Sequence, residues 1–236
     1  MSELHFVSAA ASLLGPREYQ NDAYSTNRLV VVLADGAGAG ADARQAADFV
    51  VNHYASFDDI TSDGVIEGLL DAPRSIGAQL QGVECVAGST AAAAVLDGSA
   101  RLWLSTLGDS RIVVVRQGRI VHLSRLHNRA AALRESEPTA VVPPGAASSL
   151  TRMIASGRDD VPDVSVLTAR EGDQVILLSD GADSKVSPLQ AAKFALGDRR
   201  GRAARMIVDA ASEQGLSDNA TCVVAEIWRT LPATEQ

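Results

Sequence analysis

Apolar residues come in short runs along most of the chain, and the spacing turns helical at a few places. His5 to Ser12 reads as a first strand, turned by Gly15-Pro16. Ala23–Ser25 and Leu29–Ala34 read as a strand pair. Ala43, Ala46, Ala47, Val50 and Tyr54 then fall on one helical face, and Val65 to Val83 reads as a second helix that Pro73 breaks or kinks. Four strands follow: Ser89–Leu96, Arg101–Leu107, Arg111–Arg116 and Arg119–Ser124, the last two joined by a tight Gln117-Gly118 hairpin. From Leu126 to Ala147 the pattern weakens, and Pro138, Pro143, Pro144 and Gly145 mark a flap-like loop over 126–148. Val164–Thr168 and Gln174–Ser179 look like a further hairpin. Ser187 and Pro188 open a helix that runs to Leu196 and stops at Gly197. Ala203, Met206, Ile207 and Ala210 mark a last helix ending at Gly215, and Ala220–Trp228 is a final strand before a frayed tail over 231–236. Strands and helices come in runs rather than in alternation, which predicts a largely antiparallel sheet protein with helices outside.

One stretch organises the rest. Leu29 to Leu33 is an unbroken apolar run that leads through Ala34 into Asp35-Gly36. Such a run suits a strand buried on both faces, and it holds a carboxylate at its mouth. The same layout recurs where Val-Ile-Leu-Leu-Ser leads into Asp180-Gly181. Asp22 lies just ahead of a strand, Asp109 between two apolar strands, and Asp218 just ahead of the last strand.

Composition narrows the classes. At 236 residues, with 46% hydrophobic and 21% charged residues, the chain is an ordinary globular sequence that could form one large domain or two small ones, and no composition shift marks a boundary. A formal net charge of −8 argues against a nucleic-acid binder, which needs clustered Lys and Arg. No apolar stretch is long enough to span a bilayer, and the N-terminus lacks the basic region of a signal peptide. Cys85 and Cys222 are far apart and form no CxxC, so reduced, buried thiols in a cytoplasm are the expectation.

If the five aspartates converge, their repulsion must be offset. Two unit charges about 4 Å apart repel by roughly 4 kcal/mol at an effective dielectric of about 20. Hard oxygen ligands without Cys or His point to Mg²⁺ or Mn²⁺. The plain alternative is that each Asp only caps a turn. The four histidines, His5, His53, His122 and His127, show no metal-ligand spacing. Ser110 and Ser179 have no His and Asp in a triad order, so a serine hydrolase is not read.

Taken in order, the motifs are Arg17 with Asp22, DGAG from Asp35, GST at Gly88–Thr90, GDSR at Gly108–Arg111, LTR at Leu150–Arg152, SDG at Ser179–Gly181 and DN at Asp218. That ordered set resembles the metal-dependent type 2C protein serine/threonine phosphatases in their short bacterial form, from Arg17 to Ile227. The resemblance implies an α+β fold: two antiparallel β-sheets packed as a central sandwich, with α-helices on both outer faces. It implies a two-ion site at one edge, in which Asp35 bridges both ions and the Gly36 carbonyl helps hold the first. Asp180 and Asp218 would hold the second, and Asp22 would act mainly through water. A third, weaker ion would sit near Asp109 and Asp180, and Arg17 would grip the substrate phosphate. The implied reaction is direct attack of a metal-bridging water on phosphoserine or phosphothreonine of a protein, opposing a serine/threonine kinase.

The chain departs from the family pattern in places. Gln20-Asn21-Asp22 stands where the family has Asn-Glu-Asp or Asn-Gln-Asp, Ala39 replaces the second glycine of DGxGG, and Leu126 replaces the Asp before His127. Ala37 stands where animal relatives have His and bacterial ones usually Met, so the leaving-group proton falls to a metal-bound water or to His127. None of these removes a direct ligand, and an active enzyme is expected. The alternatives are a phosphatase-like binding or regulatory module with little catalysis, or a phosphatase of small phosphoesters.

Overall fold

The structure, a computed structural model, describes residues 3–38, 40–59, 62–196 and 201–230. Its strands are β1 (Glu3–Leu13), β2 (Asp22–Thr26), β3 (Val30–Ala37), β4 (Gly88–Ser89), β5 (Ala91–Leu96), β6 (Arg101–Leu107), β7 (Arg111–Arg116), β8 (Arg119–Leu123), β9 (Ile154–Ala155), β10 (Asp163–Thr168), β11 (Gln174–Leu178) and β12 (Ala220–Thr230). The helices are α1 (Ala41–Ala55), α2 (Ser62–Gly82), α3 (Arg129–Ser136), α4 (Asp180–Asp183), α5 (Pro188–Leu196) and α6 (Ala203–Glu213), with a 3-10 turn at Ser56–Asp59.

The strands form two antiparallel sheets. One has the order β1-β12-β11-β7-β8; the other runs β10-β6-β5-β3-β4-β9, with β2 also paired to β3. Alternation along β3 shows how the layers meet. Val31 and Leu33 face the interior between the sheets, where they pack with Leu102, Leu104, Val114, Val175, Leu177 and Val223. Val30, Val32 and Ala34 face the other way, onto α1 and α2 through Val50, Tyr54, Leu69 and Ile76. The outer face of the five-stranded sheet, with Val113, Ile176 and Cys222, is covered by α4, α5 and α6. The result is the expected helix–sheet–sheet–helix sandwich, and β3 is apolar from Val30 to Ala34 because neither face of that stretch meets water. Each fully buried Val or Leu here contributes about 2 kcal/mol.

Most expected elements lie within a residue or two of their observed bounds. Gln117 and Gly118, with φ of 48° and 79°, turn the β7–β8 hairpin. Ser187 and Gln190 cap α5 reciprocally, each bonding the other's backbone N–H. Cys85 and Cys222 are buried and unpaired with each other. The expected stop at Gly197, the Ala39 substitution and the tail over 231–236 lie outside the described residues.

Three expectations are corrected. First, Val164–Thr168 and Gln174–Ser179 do not pair with each other. β10 pairs with β6 in one sheet, while β11 sits between β12 and β7 in the other. Every residue of β11 is buried, so it takes a central place with a partner on each side. The link crosses between sheets through buried Ala169, and Arg116 ties it down by bonding Asp173 at 2.7 and 2.6 Å and the Thr168 carbonyl at 2.7 Å. Second, α2 runs on through Pro73 without a break. The proline costs about 3 kcal/mol, which burial of Leu69, Ile76 and Leu80 against the sheet outweighs. Third, the flap contains a helix, α3, capped by the Asn128 side chain on the Ala131 N–H at 2.9 Å. It buries only Ala130 and so leaves no periodic stripe in the sequence.

Candidate active site

The two sheets bring the predicted residues to one edge of the sandwich. Asp22 and Asp35 face each other across the β2–β3 pair. At Asp35 the strand β3 changes partners: residues up to Leu33 pair with β5, while Gly36 and Ala37 pair with β4. Thr90 bridges that change. Its hydroxyl accepts the Asp35 N–H at 2.9 Å, its N–H donates to the Asp35 carbonyl at 2.9 Å, and its hydroxyl meets that of Ser110 at 2.7 Å. The Asp35 backbone is thereby locked to the turn that carries Asp109. Gly36 allows α1 to close in, since a Cβ there would lie 2.1 Å from the Ala43 carbonyl oxygen.

The five-stranded sheet supplies the other half. β11 ends at Leu178, and Asp180 starts α4 directly after Ser179. The Ser179 hydroxyl accepts the Thr221 N–H at 2.9 Å, which fixes the start of α4 to β12. A Cβ on Gly181 would lie 2.0 Å from the Asn219 carbonyl oxygen, so only glycine lets the 218–219 turn approach this helix. Asn219 is the hub of that turn: it accepts the Asn21 N–H at 2.8 Å and donates to the Leu14 and Tyr19 carbonyls at 2.8 and 3.1 Å. One buried amide thus ties the loop bearing Arg17 to the loop bearing Asp218. The sequence motif DN pointed at this residue; Thr90 and Ser110 lie in the GST and GDSR motifs, but nothing marked them as the supports of Asp35, and nothing marked Asn128, which donates to Asp109 Oδ2 at 3.4 Å.

Arg17, Asn21, Asp35, Gly36, Asp109, Asp180 and Asp218 line one pocket of about 150 Å³, and Asp22 is buried beside it. A neighbouring groove of about 400 Å³ shares Arg17, Asp109, Asp180 and Asp218 and runs on past Leu126, Arg134 and Ser184. All predicted site residues are therefore brought together. Burial pushes the Asp22 carboxyl up to about 6, with the Asp180 and Asp218 charges adding. Asp35 is raised well above the ordinary range by burial and then by Asp22, Asp180 and Asp109. Burial and the Asp180 charge lift Asp109 to about 7, and burial with the Asp218 charge raises Asp180.

These carboxylates fit divalent cations. Both side-chain oxygens of Asp22, Oδ1 of Asp180 and Oδ1 of Asn21 are buried without a hydrogen-bond partner, and every available donor is a hard oxygen. Among the described residues, no three His, Cys, Asp or Glu side chains are so placed that they could hold an ion as they stand. Asp218 is itself engaged: its Oδ2 accepts from Arg17 at 2.6 Å and its Oδ1 accepts the Asn219 N–H at 2.8 Å.

The remaining polar residues brace the fold. Arg111 holds Asp183 at 2.9 Å and the Ser124 carbonyl at 2.8 Å, and Arg152 holds Asp163 at 2.9 Å. His127 is only 3% exposed and both ring nitrogens are engaged. Nδ1 accepts the Gly108 N–H at 3.1 Å, which leaves the proton on Nε2 for Asp163 at 3.2 Å. Burial lowers its pKa. Its ring is a strut between the Asp109 turn and β10, not a group free to enter the pocket.

The fold and this acidic pocket are those of a metal-dependent phosphatase architecture, and the comparisons agree. The family model for protein phosphatase 2C matches residues 18–208. The chain belongs to the protein phosphatase 2C family. The serine/threonine protein phosphatase PstP of Mycobacterium tuberculosis is 28% identical over 218 residues, 88% of this chain and 42% of that protein. The chain thus spans about two fifths of the length of the curated relatives it matches. The PstP catalytic domain, solved with two manganese ions, superposes with a TM-score of 0.83 at 26% identity over 95% of this chain and 99% of that one. The phosphatase MsPP of Mycobacterium smegmatis, solved with cacodylate, gives 0.76 at 25% identity over 93% and 97%.

Proposed function

We propose that residues 1–236 form one catalytic domain of a Mn²⁺- or Mg²⁺-dependent protein serine/threonine phosphatase. The observation that carries this reading is the set of orphaned carboxylate oxygens on Asp180, in a pocket that it shares with Asp35 and Arg17, and on Asp22, buried beside that pocket opposite Asp35. The relatives' solved complexes, one with two manganese ions and one with an arsenic oxyanion, support it by analogy.

Asp22, Asp35, Asp180, Asp218 and the Gly36 carbonyl would hold two ions, with Asp109 and Asp180 available to a third. When bound, such ions supply a water acidic enough to attack phosphorus directly at neutral pH and clamp the in-line displacement. Arg17 binds the substrate phosphate through its planar fork of donors. Thr90 and Ser110 hold the Asp35 backbone still, and Asn219 keeps the Arg17 and Asp218 loops in register. Ala37 has no proton to give, and His127 is committed to Gly108 and Asp163, so neither protonates the leaving serine oxygen. That proton comes from water.

Phosphorylated proteins, set against a serine/threonine kinase, are the proposed substrates. The net charge of −8 disfavours nucleic acid. No helix among the described residues is long and apolar enough to cross a membrane. Free, buried cysteines favour a cytoplasmic setting. The test is hydrolysis of a phosphoserine peptide and of p-nitrophenyl phosphate with Mn²⁺ and with EDTA. Mn²⁺-dependent turnover of both is expected. Turnover of the aryl ester alone favours small phosphoesters, and turnover of neither makes the chain a binding module.

A further inference from the structure

Asp218 differs from Asp22 and Asp180 in one respect. Asp22 and Asp180 leave oxygens orphaned, whereas both Asp218 oxygens are in use, one of them on Arg17. Arg17 lies in the loop after β1 and Asp218 in the loop before β12, 201 residues away, yet their N–O distance is 2.6 Å. Arg17 is 54% exposed and Asp218 33%, so the pair stands at the mouth of the pocket rather than in the core. The same guanidinium faces two anions that it cannot serve fully at once, the Asp218 carboxylate and an incoming phosphate. The same carboxylate faces two cations.

We propose that Arg17 occupies Asp218 until a divalent ion takes that carboxylate, so that ion binding releases the phosphate-binding arginine and makes substrate binding follow metal binding. The proposal rests on the metal-dependent phosphatase reading. Two effects combine. An ion on Asp218 frees the Arg17 donors for phosphate, and it cancels a negative charge that would repel phosphate beside them. Exposed ion pairs are weak, so the latch biases the order of binding without blocking either ligand.

The experiment uses the purified chain after chelation and desalting. Titration calorimetry with Mn²⁺ alone compares the unaltered chain with Arg17→Gln. The variant should bind Mn²⁺ about two- to fivefold more tightly, and the difference should shrink at high salt. Titration with inorganic phosphate, followed by phosphorus NMR without metal, compares the chain with Asp218→Asn, Arg17→Gln and the double variant. Asp218→Asn should bind phosphate several-fold more tightly, and that gain should vanish in the Arg17→Gln background. A gain that survives without Arg17 means general relief of repulsion and overturns the latch, as does no gain at all. An unaltered chain that binds Mn²⁺ but shows no Arg17 effect overturns the latch alone. A chain that binds no Mn²⁺ overturns both the latch and the phosphatase reading.

Discussion

Asp22 and Asp35 are direct cross-strand neighbours in the antiparallel pair of β2 and β3, a buried carboxylate and one facing the pocket placed opposite one another by strand register. A one-residue slip of either strand would send one of them to the other face of the sheet. The same pairing that stabilises the sheet therefore sets the spacing of the acidic site.

Replacing these carboxylates should separate activity from folding. Asp35→Asn should lower Mn²⁺-dependent turnover by at least about 100-fold, because even outer-shell partners of a metal are worth 10 to 100-fold. Asp109→Asn should cost no more than about tenfold, and less at saturating metal. Both variants should melt, without metal, at or above the temperature of the unaltered chain, since each removes a buried charge. Circular dichroism melts and p-nitrophenyl phosphate rates check this, and a fully active Asp35→Asn contradicts the site.

Metal-free stability should fall as pH rises. The folded chain holds Asp22 and Asp109 up at about 6 and about 7, above their ordinary value of 3.8. Between those limits the folded state keeps protons that the unfolded chain releases. The contribution is full below about pH 4 and is lost as pH climbs through about 6 to 7. In EDTA the melting temperature should therefore be higher near pH 5 than near pH 8, and Asp22→Asn should flatten the trend. Saturating Mn²⁺ should weaken or reverse it, because ions and protons compete for the same oxygens. A melting temperature that rises with pH in EDTA would be the contrary result.

Arg17→Ala should raise KM for a phosphopeptide more than it lowers kcat, with about a 10- to 100-fold loss in kcat/KM. Arg17→Lys should recover only part of it, since a point charge lacks the fork. Steady-state kinetics at saturating Mn²⁺ decide this, and an unchanged KM would move the phosphate site elsewhere.

His127→Ala should destabilise the chain by about 2 kcal/mol, because it leaves the Gly108 N–H without its partner. The ratio of phosphopeptide to aryl phosphate turnover should stay the same. A selective loss on the phosphopeptide, whose leaving oxygen needs a proton, would make His127 the donor after all.

Much of this was legible because the informative signals are local. The apolar run before Asp35 and its echo before Asp180 mark two strands buried on both faces, and a buried strand delivers its terminal residue to a fixed place. The partner of a strand is not local. Gln174–Leu178 has the same composition whether it turns back on Val164–Thr168 or crosses to the other sheet, and its ladders with β12 and β7, both remote in sequence from Val164–Thr168, settle it. The helix α3 was hidden for a related reason, since it buries almost nothing and leaves no stripe. Supporting residues such as Thr90 and Asn128 act through backbone groups of distant turns, which no spacing along the chain encodes.

Asp22 and Asp35 belong to one sheet, whereas Asp180 and Asp218 follow strands of the other or lead into them. The acidic site is thus a caliper laid across the sandwich. Any change in how far apart the sheets rest is read out as a change in the gap between the two pairs of carboxylates. A truncation deep in the interior, such as Leu104→Ala or Leu177→Ala, outside the pocket lining, would then detune catalysis at temperatures where the chain is still fully folded. Turnover would serve as a more sensitive gauge of the sandwich than any melting curve.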